Sequence, residues 1–180
     1  MTFVSVKPIA TPLTQLLDVD VPVVCAPLAK AANATLAIHA SLGGGFGFIP
    51  TGYDGVVGIR RELTAVKTAI EARGLPLPYH LPVGVNLLGW KLEEAGAELK
   101  AVLDTALEHH VQAIWLGFGK GLRHFISHIR QHDLACGQKT LVFIGVNTVP
   151  EALVATNEFK ADVIVAQGTS LDPDAILIFS

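Results

Sequence analysis

Six short runs of apolar, largely β-branched residues punctuate the chain at 21–26, 45–49, 81–87, 113–118, 140–146 and 162–167, and none alternates apolar with polar. A strand with one wetted face must alternate, so continuous runs of this length imply strands covered on both sides. Helical periodicity fills the gaps between them. At 56–73, Ile59, Leu63, Val66 and Ile70 recur at spacings of three and four, before Gly74 and Pro76 stop the pattern. Segment 92–109 carries Leu92, Leu99, Val102, Leu103 and Leu107 on one stripe, and 122–131 carries Leu122, Phe125, Ile126 and Ile129. An alanine-rich helix is expected at 31–40, stopping at Gly43-Gly44-Gly45. Thr148, Pro150 and Glu151 open another that runs to about residue 159, with a capping hydroxyl, a first-turn proline and an acidic third position. Strand followed by helix throughout predicts an α/β fold with a parallel sheet. The composition agrees, since 51% hydrophobic with 16% charged residues is the balance of a sheet buried between helices.

Two architectures share that order, an open doubly wound sheet and a closed eight-stranded barrel. A barrel takes about 250 residues, so 180 residues hold roughly six units of eight, matching the six strands counted. The fold class expected is α/β, of (β/α)8 TIM-barrel type and incomplete. The last apolar run, 175–179, follows the sixth strand after residues 168–174 alone, whereas a parallel crossover needs about 10 to 12 residues. It should therefore pair antiparallel or stay unpaired.

A net charge of −3 excludes a dedicated nucleic-acid binder, which carries a basic excess. No apolar run reaches the roughly 18 residues that span a bilayer, and no basic region followed by an apolar one opens the chain. Two cysteines cannot build a disulfide framework, so a reducing, cytoplasmic setting is expected.

In parallel α/β folds the chemistry sits at the carboxyl ends of strands and in the loops that follow. Those positions here include Ala26 and Pro27, Asn86, Gly117, Gly145 and Gln167. Asn86 and Gln167 each end an apolar strand with a group that both donates and accepts, suited to the edge of a planar heterocycle. The alternative is that both amides satisfy nearby backbone groups. Ala26 and Pro27 leave room for a flat ligand to approach the backbone. Gly43-Gly44-Gly45-Phe46-Gly47 follows a helix and enters a strand, the reverse of a phosphate-cradling loop, and reads as a helix stop followed by close packing. His124, His128 and His132 repeat every four residues but share their segment with Arg123, Arg130 and Asp133, which describes a solvated face better than a metal site. Cys25 and Cys136 lack an adjacent base in sequence and read as incidental thiols.

Taken in order, several of these segments resemble the nitronate monooxygenase family, formerly called 2-nitropropane dioxygenases. The segments are Thr11-Pro12-Leu13-Thr14, Pro22 to Ala29, Leu42 to Phe48, Val83-Gly84-Val85-Asn86-Leu87, Asn147 to Ala152 and Ala161 to Gly168. The resemblance implies a (β/α)8 barrel that holds FMN non-covalently and oxidises alkyl nitronates or nitroalkanes with O2. It places Ala26, Pro27 and Leu28 along the flavin, and Asn86, Gln167 and Gly168 in contact with it. Leu28 replaces a family methionine of similar volume. The family's catalytic histidine falls on Gly117, which cannot accept a proton, so the catalytic residue is left unassigned and pre-formed anionic nitronates are the expected substrates. After Gly168 the family's glycine-rich phosphate contact is replaced by Thr169 to Asp174, with the negative Asp172 at a flavin-contacting position. The expected organisation is thus a C-terminally truncated barrel over 1–168 and a non-family tail over 169–180. The rival expectation is a non-catalytic remnant or interaction protein that self-associates through its two open sheet edges. An IMP-dehydrogenase-like relative would need a nucleophilic cysteine in a strand-end loop, and Cys136 precedes its strand instead.

Overall fold

The computed structural model describes residues 7–28, 31–51, 55–117, 119, 121–168 and 176–179. Helix α1 (Pro12–Leu17) leads into β1 (Val24–Cys25), α2 (Ala34–Leu42), β2 (Phe46–Pro50), α3 (Gly55–Glu71) and β3 (Leu81–Leu88). Then come α4 (Gly89–Glu108), β4 (Val111–Gly117), α5 (Leu122–Cys136), β5 (Leu141–Val146), α6 (Val149–Asn157), β6 (Val163–Gln167) and β7 (Ile176–Phe179). Strands β1 to β6 each pair in parallel with the next, so their order in space is their order in sequence. A doubly wound sheet reverses its strand order part-way. This sheet never does, and its six parallel strands and alternating helices form a curled, incomplete barrel.

Side chains on a strand alternate between faces, and the register sorts them. Pro50, Asn86, Trp115, Phe143 and Val163 are successive partners across β2 to β6 and share the concave face. One step lower, Phe48, Gly84, Ala113 and Leu141 form a second row on that face. The convex residues, among them Val83, Val85, Ile114 and Ile144, pack in one core with Ile59, Leu63, Val66 and Ile70 of α3 and with Val102, Leu103 and Leu107 of α4. The concave face is filled separately. Phe48 meets Phe46, Trp115 and Phe143 edge to face at centroid distances of 5.3, 5.2 and 5.0 Å, the arrangement ring quadrupoles favour. Gly84 faces that cluster because a Cβ there would overlap the Phe48 ring.

Helix α1, unanticipated from sequence, closes the amino end of this interior. Its motif Thr11-Pro12-Leu13-Thr14 is a capping box: the Thr11 hydroxyl accepts from Thr14 N–H and the Thr14 hydroxyl accepts from Thr11 N–H. Leu13 and Leu17 then join the concave cluster, and Gln112 Nε2 donates to the Leu17 carbonyl at 2.7 Å.

The expected first strand at 21–26 shrinks to Val24–Cys25. Upstream, the Asp20 and Val21 N–H groups both donate to Gly44 O and Val23 N–H to Val21 O, while Pro22 has no donor, so the chain turns instead of pairing. Helix α4 starts at Gly89 rather than at 92, and the side chains of Leu92 and Leu99 lie outside the described residues. Thr148 caps α6 as expected, accepting from Glu151 N–H. The last run pairs antiparallel, Gln167 facing Ile176 and Ile164 facing Phe179. That corrects the expectation of two bare parallel edges, because β7 covers the edge of β6. Gly43 ends α2, and a Cβ on Gly47 would collide with the Ala37 backbone, so the glycine run is a helix stop and a close packing, as read. Among the described residues no helix is long and apolar enough to cross a membrane.

Candidate functional site

The carboxyl ends of the strands carry the concave rows out to a rim. Asn86 is buried at 8% exposure, and its Nδ2 donates to the Trp115 carbonyl of β4 at 3.3 Å. That bond holds the amide between β3 and β4, while the Asn86 carbonyl accepts from the Thr51 hydroxyl at 2.7 Å and ties in the end of β2. Gln167 has the same facing as Val163 and Val165, because two residues separate each from the next along β6. It is half-buried, and among the described residues its side-chain amide has no protein partner. The expected amides therefore share a face and an end of the sheet.

Between them, the described rim positions on β4 and β5 are glycines. Gly117 follows Trp115 by two residues, and Gly145 follows Phe143 by two, so both stand on the concave face one step above the rings. A Cβ on Gly117 would stand 3.8 Å from Trp115 Nε1, and one on Gly145 would stand 3.2 Å from it. The indole nitrogen therefore lies directly under two positions that have no side chain. Gly89 and Gly119 let the start of α4 touch the segment after β4: a Cβ on Gly89 would stand 2.8 Å from Gly119 Cα.

At the end of β1, Ala26 and Pro27 are half-buried and Leu28 is 53% exposed. Ala26 follows Val24 by two and so keeps the facing of Val24, whose partner is the concave Phe46. The Leu28 carbonyl accepts from Ala31 and Ala32 N–H, which ties it to the residues that lead into α2. Gly168 is exposed just beyond β6. Thr169 to Asp174, and with them Asp172, lie outside the described residues, as does Phe118.

These features suit the ring end of a flavin: bare backbone at Gly117 and Gly145 admits a flat tricycle, and the Asn86 and Gln167 amides can meet the heteroatoms of its edge. The sequence reading missed Trp115. Its position was legible, because Ala113, Trp115 and Gly117 share one face by strand periodicity.

The remaining titratable groups gather elsewhere. His128 Nε2 bonds Asp104 Oδ1 of α4 at 2.5 Å, so this histidine packs between helices instead of lying on a solvated face. Burial acts to raise the Asp104 carboxyl, but hydrogen bonds from His128 and Lys100 and their charges hold it below the usual carboxylate range. Cys136 is the exposed last residue of α5, and its Sγ lies 3.7 Å from His132 Nε2. Gln138 links His132 Nδ1 at 3.1 Å to His110 Nδ1 at 2.5 Å. This chain of contacts sits at the amino ends of β4 and β5, opposite the rim, so Cys136 cannot serve as a strand-end nucleophile there. Burial pushes the Cys25 thiol up, away from the reactive thiolate. Among the described residues, no three His, Cys, Asp or Glu side chains gather to hold a metal.

No family profile matches the chain. A curated nitronate monooxygenase of Neurospora crassa is 30% identical over 161 residues, which is 81% of this chain and 42% of that protein. The resemblance read from the motifs is thus shared by a protein of that name. FabK from Thermotoga maritima has the same fold, with a TM-score of 0.67 at 21% identity over 89% of this chain and 44% of its own. A point mutant of that FabK gives a TM-score of 0.67 at 22% identity, over 89% and 47% of the two chains. The chain spans less than half the length of each of these proteins.

Proposed function

We propose that residues 1–168 form the first six βα units of an FMN-dependent oxidoreductase of nitronate monooxygenase type, and that 169–180 is a stretch of different origin. The observation that supports this reading is the convergence of Ala26, Asn86, Gly117 and Gln167 on one end of the concave face. Pro27, Leu28 and Gly168 flank that rim. When bound, FMN supplies the electron acceptor between an alkyl nitronate and O2. The chain's own residues position the reactants. The Asn86 amide, held by the Trp115 carbonyl, offers polar contact to the ring edge from β3, and Gln167 offers it from β6. The aromatic floor of Trp115, Phe48 and Phe143 keeps water from beneath the ring.

Gly117 supplies no proton acceptor, so the chain selects a nitronate that is already an anion over a neutral nitroalkane that must first lose its α-proton. A reducing, cytoplasmic setting accords with the two free thiols, Cys25 and Cys136. Self-association would use the edge of β1, which pairs with β2 alone among the described residues. One observation favours the rival reading of a non-catalytic interaction protein: β7 runs antiparallel beside Gln167, where a further barrel unit would run parallel.

The test is to purify the full chain, titrate FMN by flavin fluorescence, and measure oxygen uptake with propyl nitronate and with the parent nitropropane. Saturable flavin binding with uptake on the nitronate alone is expected. A colourless chain that leaves flavin fluorescence unchanged overturns the oxidoreductase reading and leaves the interaction protein.

A further inference from the structure

Trp115 is packed tightly in place, yet its one polar side-chain atom has no partner among the described residues. The residue is 5% exposed on the concave face, and its ring lies edge to face on Phe48 at 5.2 Å and 80°. Phe48 is itself wedged between Phe46 and Phe143, so the indole has no room to swing. An indole N–H can only donate, and a buried tryptophan ordinarily finds an acceptor for it. Among the described residues Nε1 has none; the Trp115 carbonyl, not its ring, takes the Asn86 bond. Nε1 lies instead under the two glycines of the rim, 3.2 Å from where a Cβ of Gly145 would stand and 3.8 Å from that of Gly117. The strand pattern therefore aims a fixed donor past two glycine positions at the rim.

We propose that Trp115 Nε1–H is a ligand-binding donor at the rim, and that it donates to a conjugated, electron-rich oxygen lying over Gly117 and Gly145. This deepens the reading above and rests on it. The oxygen belongs either to a flavin carbonyl or to the nitro group of an anionic nitronate, whose negative charge resides on its two oxygens. With no side chain at Gly117, an uncharged nitroalkane oxygen would gain less from this donor than the nitronate anion, because a hydrogen bond to a charged acceptor is the stronger one. Trp115 would then contribute to selection of the anion without touching a proton of the substrate.

The experiment uses the full chain with its tryptophans labelled with nitrogen-15, and follows the indole N–H resonances. The signal lost in Trp115→Phe identifies Trp115. If FMN alone moves that signal, the donor serves the flavin; if propyl nitronate moves it only after FMN has bound, the donor serves the substrate. Either result supports the proposal. Trp115→Phe keeps the ring packing and should weaken the ligand served by roughly tenfold, with an unchanged flavin fluorescence maximum at saturation. Gly145→Ala provides a second variant that keeps the indole itself, since its methyl would stand 3.2 Å from Nε1 and crowd the donor. It should weaken the same ligand. If flavin fluorescence reports binding while the Trp115 resonance stays still and both variants bind as the parent does, the proposal is wrong and the flavin reading stands. If neither FMN nor nitronate moves any signal and flavin fluorescence is unchanged, both fall together.

Discussion

Gly84→Ala puts a methyl group into the middle of the concave cluster, and the structure fixes what that costs. The new Cβ would overlap Phe48 Cε1 and Cδ1, and even Cζ, the third-nearest atom, would be 2.8 Å away. Ordinary carbon contacts begin at about 3.5 Å, so the ring would have to retreat by roughly 1 Å. It has nowhere to go, because Phe46, Trp115 and Phe143 close around it at 5.0 to 5.3 Å between centroids. Overpacking of a dense core costs about 1–3 kcal/mol, and loss of one of the edge-to-face pairs adds ~0.5–1.5 kcal/mol. Against this, alanine restricts the unfolded chain and returns about 0.4–1 kcal/mol where the backbone is compatible. Gly84 is not among the glycines with positive φ, so that return applies. The net expectation is a loss of about 2–3 kcal/mol, seen as a fall of roughly 5–10 °C in Tm for a chain of this size. Urea denaturation would measure it directly, with Gly117→Ala as control, since among the described residues its methyl meets nothing nearer than Trp115 Nε1 at 3.8 Å. Phe48→Leu should rescue Gly84→Ala, so the double variant loses less than the sum of the two singles. Equal stability of Gly84→Ala and the parent, or strict additivity with Phe48→Leu, would refute the packing of these two residues against each other.

Asp133 accepts from Thr140 N–H at 2.9 Å and from the Thr140 hydroxyl at 2.7 Å, both residues being buried, so Asp133→Ala should cost about 3 kcal/mol in urea denaturation and Asp133→Asn less. Burial, then the charges of Lys67 and Arg60, push the His109 imidazole below its ordinary value, and its Nδ1 is buried without a partner among the described residues. The unfolded chain therefore takes up that proton first as pH falls, so stability should decline below about pH 6.5. His109→Gln should flatten that slope in urea midpoints measured between about pH 8 and pH 5.5. Gly117→His should confer oxygen uptake with neutral nitropropane on the FMN-loaded chain while leaving uptake with the nitronate in place; an FMN-loaded variant with no gain would show that the base does not belong at residue 117.

Strand identity was legible because burial on both faces writes an unbroken apolar run, and β2 to β6 all fall within a few residues of where those runs stand. Boundaries were less legible, since they depend on partners distant in sequence. Val21 to Val23 reads as strand, but the Gly44 carbonyl captures the donors just upstream. Helix α1 escaped notice because six residues are too few to show a period, and its cap uses Thr14 where glutamate or glutamine is the usual signal. The aspartate that receives His128 stands on α4, far from it in sequence, so nothing local could distinguish that histidine from a wetted one.

The site is a different case, because its most informative residue was hidden by category and not by distance. A tryptophan inside an apolar run counts as core, and the floor formed with Phe48 and Phe143 bears that out. Yet the same alternation that turns Trp115 inward places Gly117 next above it, and the β5 neighbour brings Gly145 alongside. Two glycines above one indole turn a core residue into a floor with an outward-facing donor. A large side chain at either glycine would have sealed Nε1 and made Trp115 structural alone. The absence of side chains at 117 and 145 is therefore as much a part of this site as the amides of Asn86 and Gln167, and it follows from the strand period alone once the register is known.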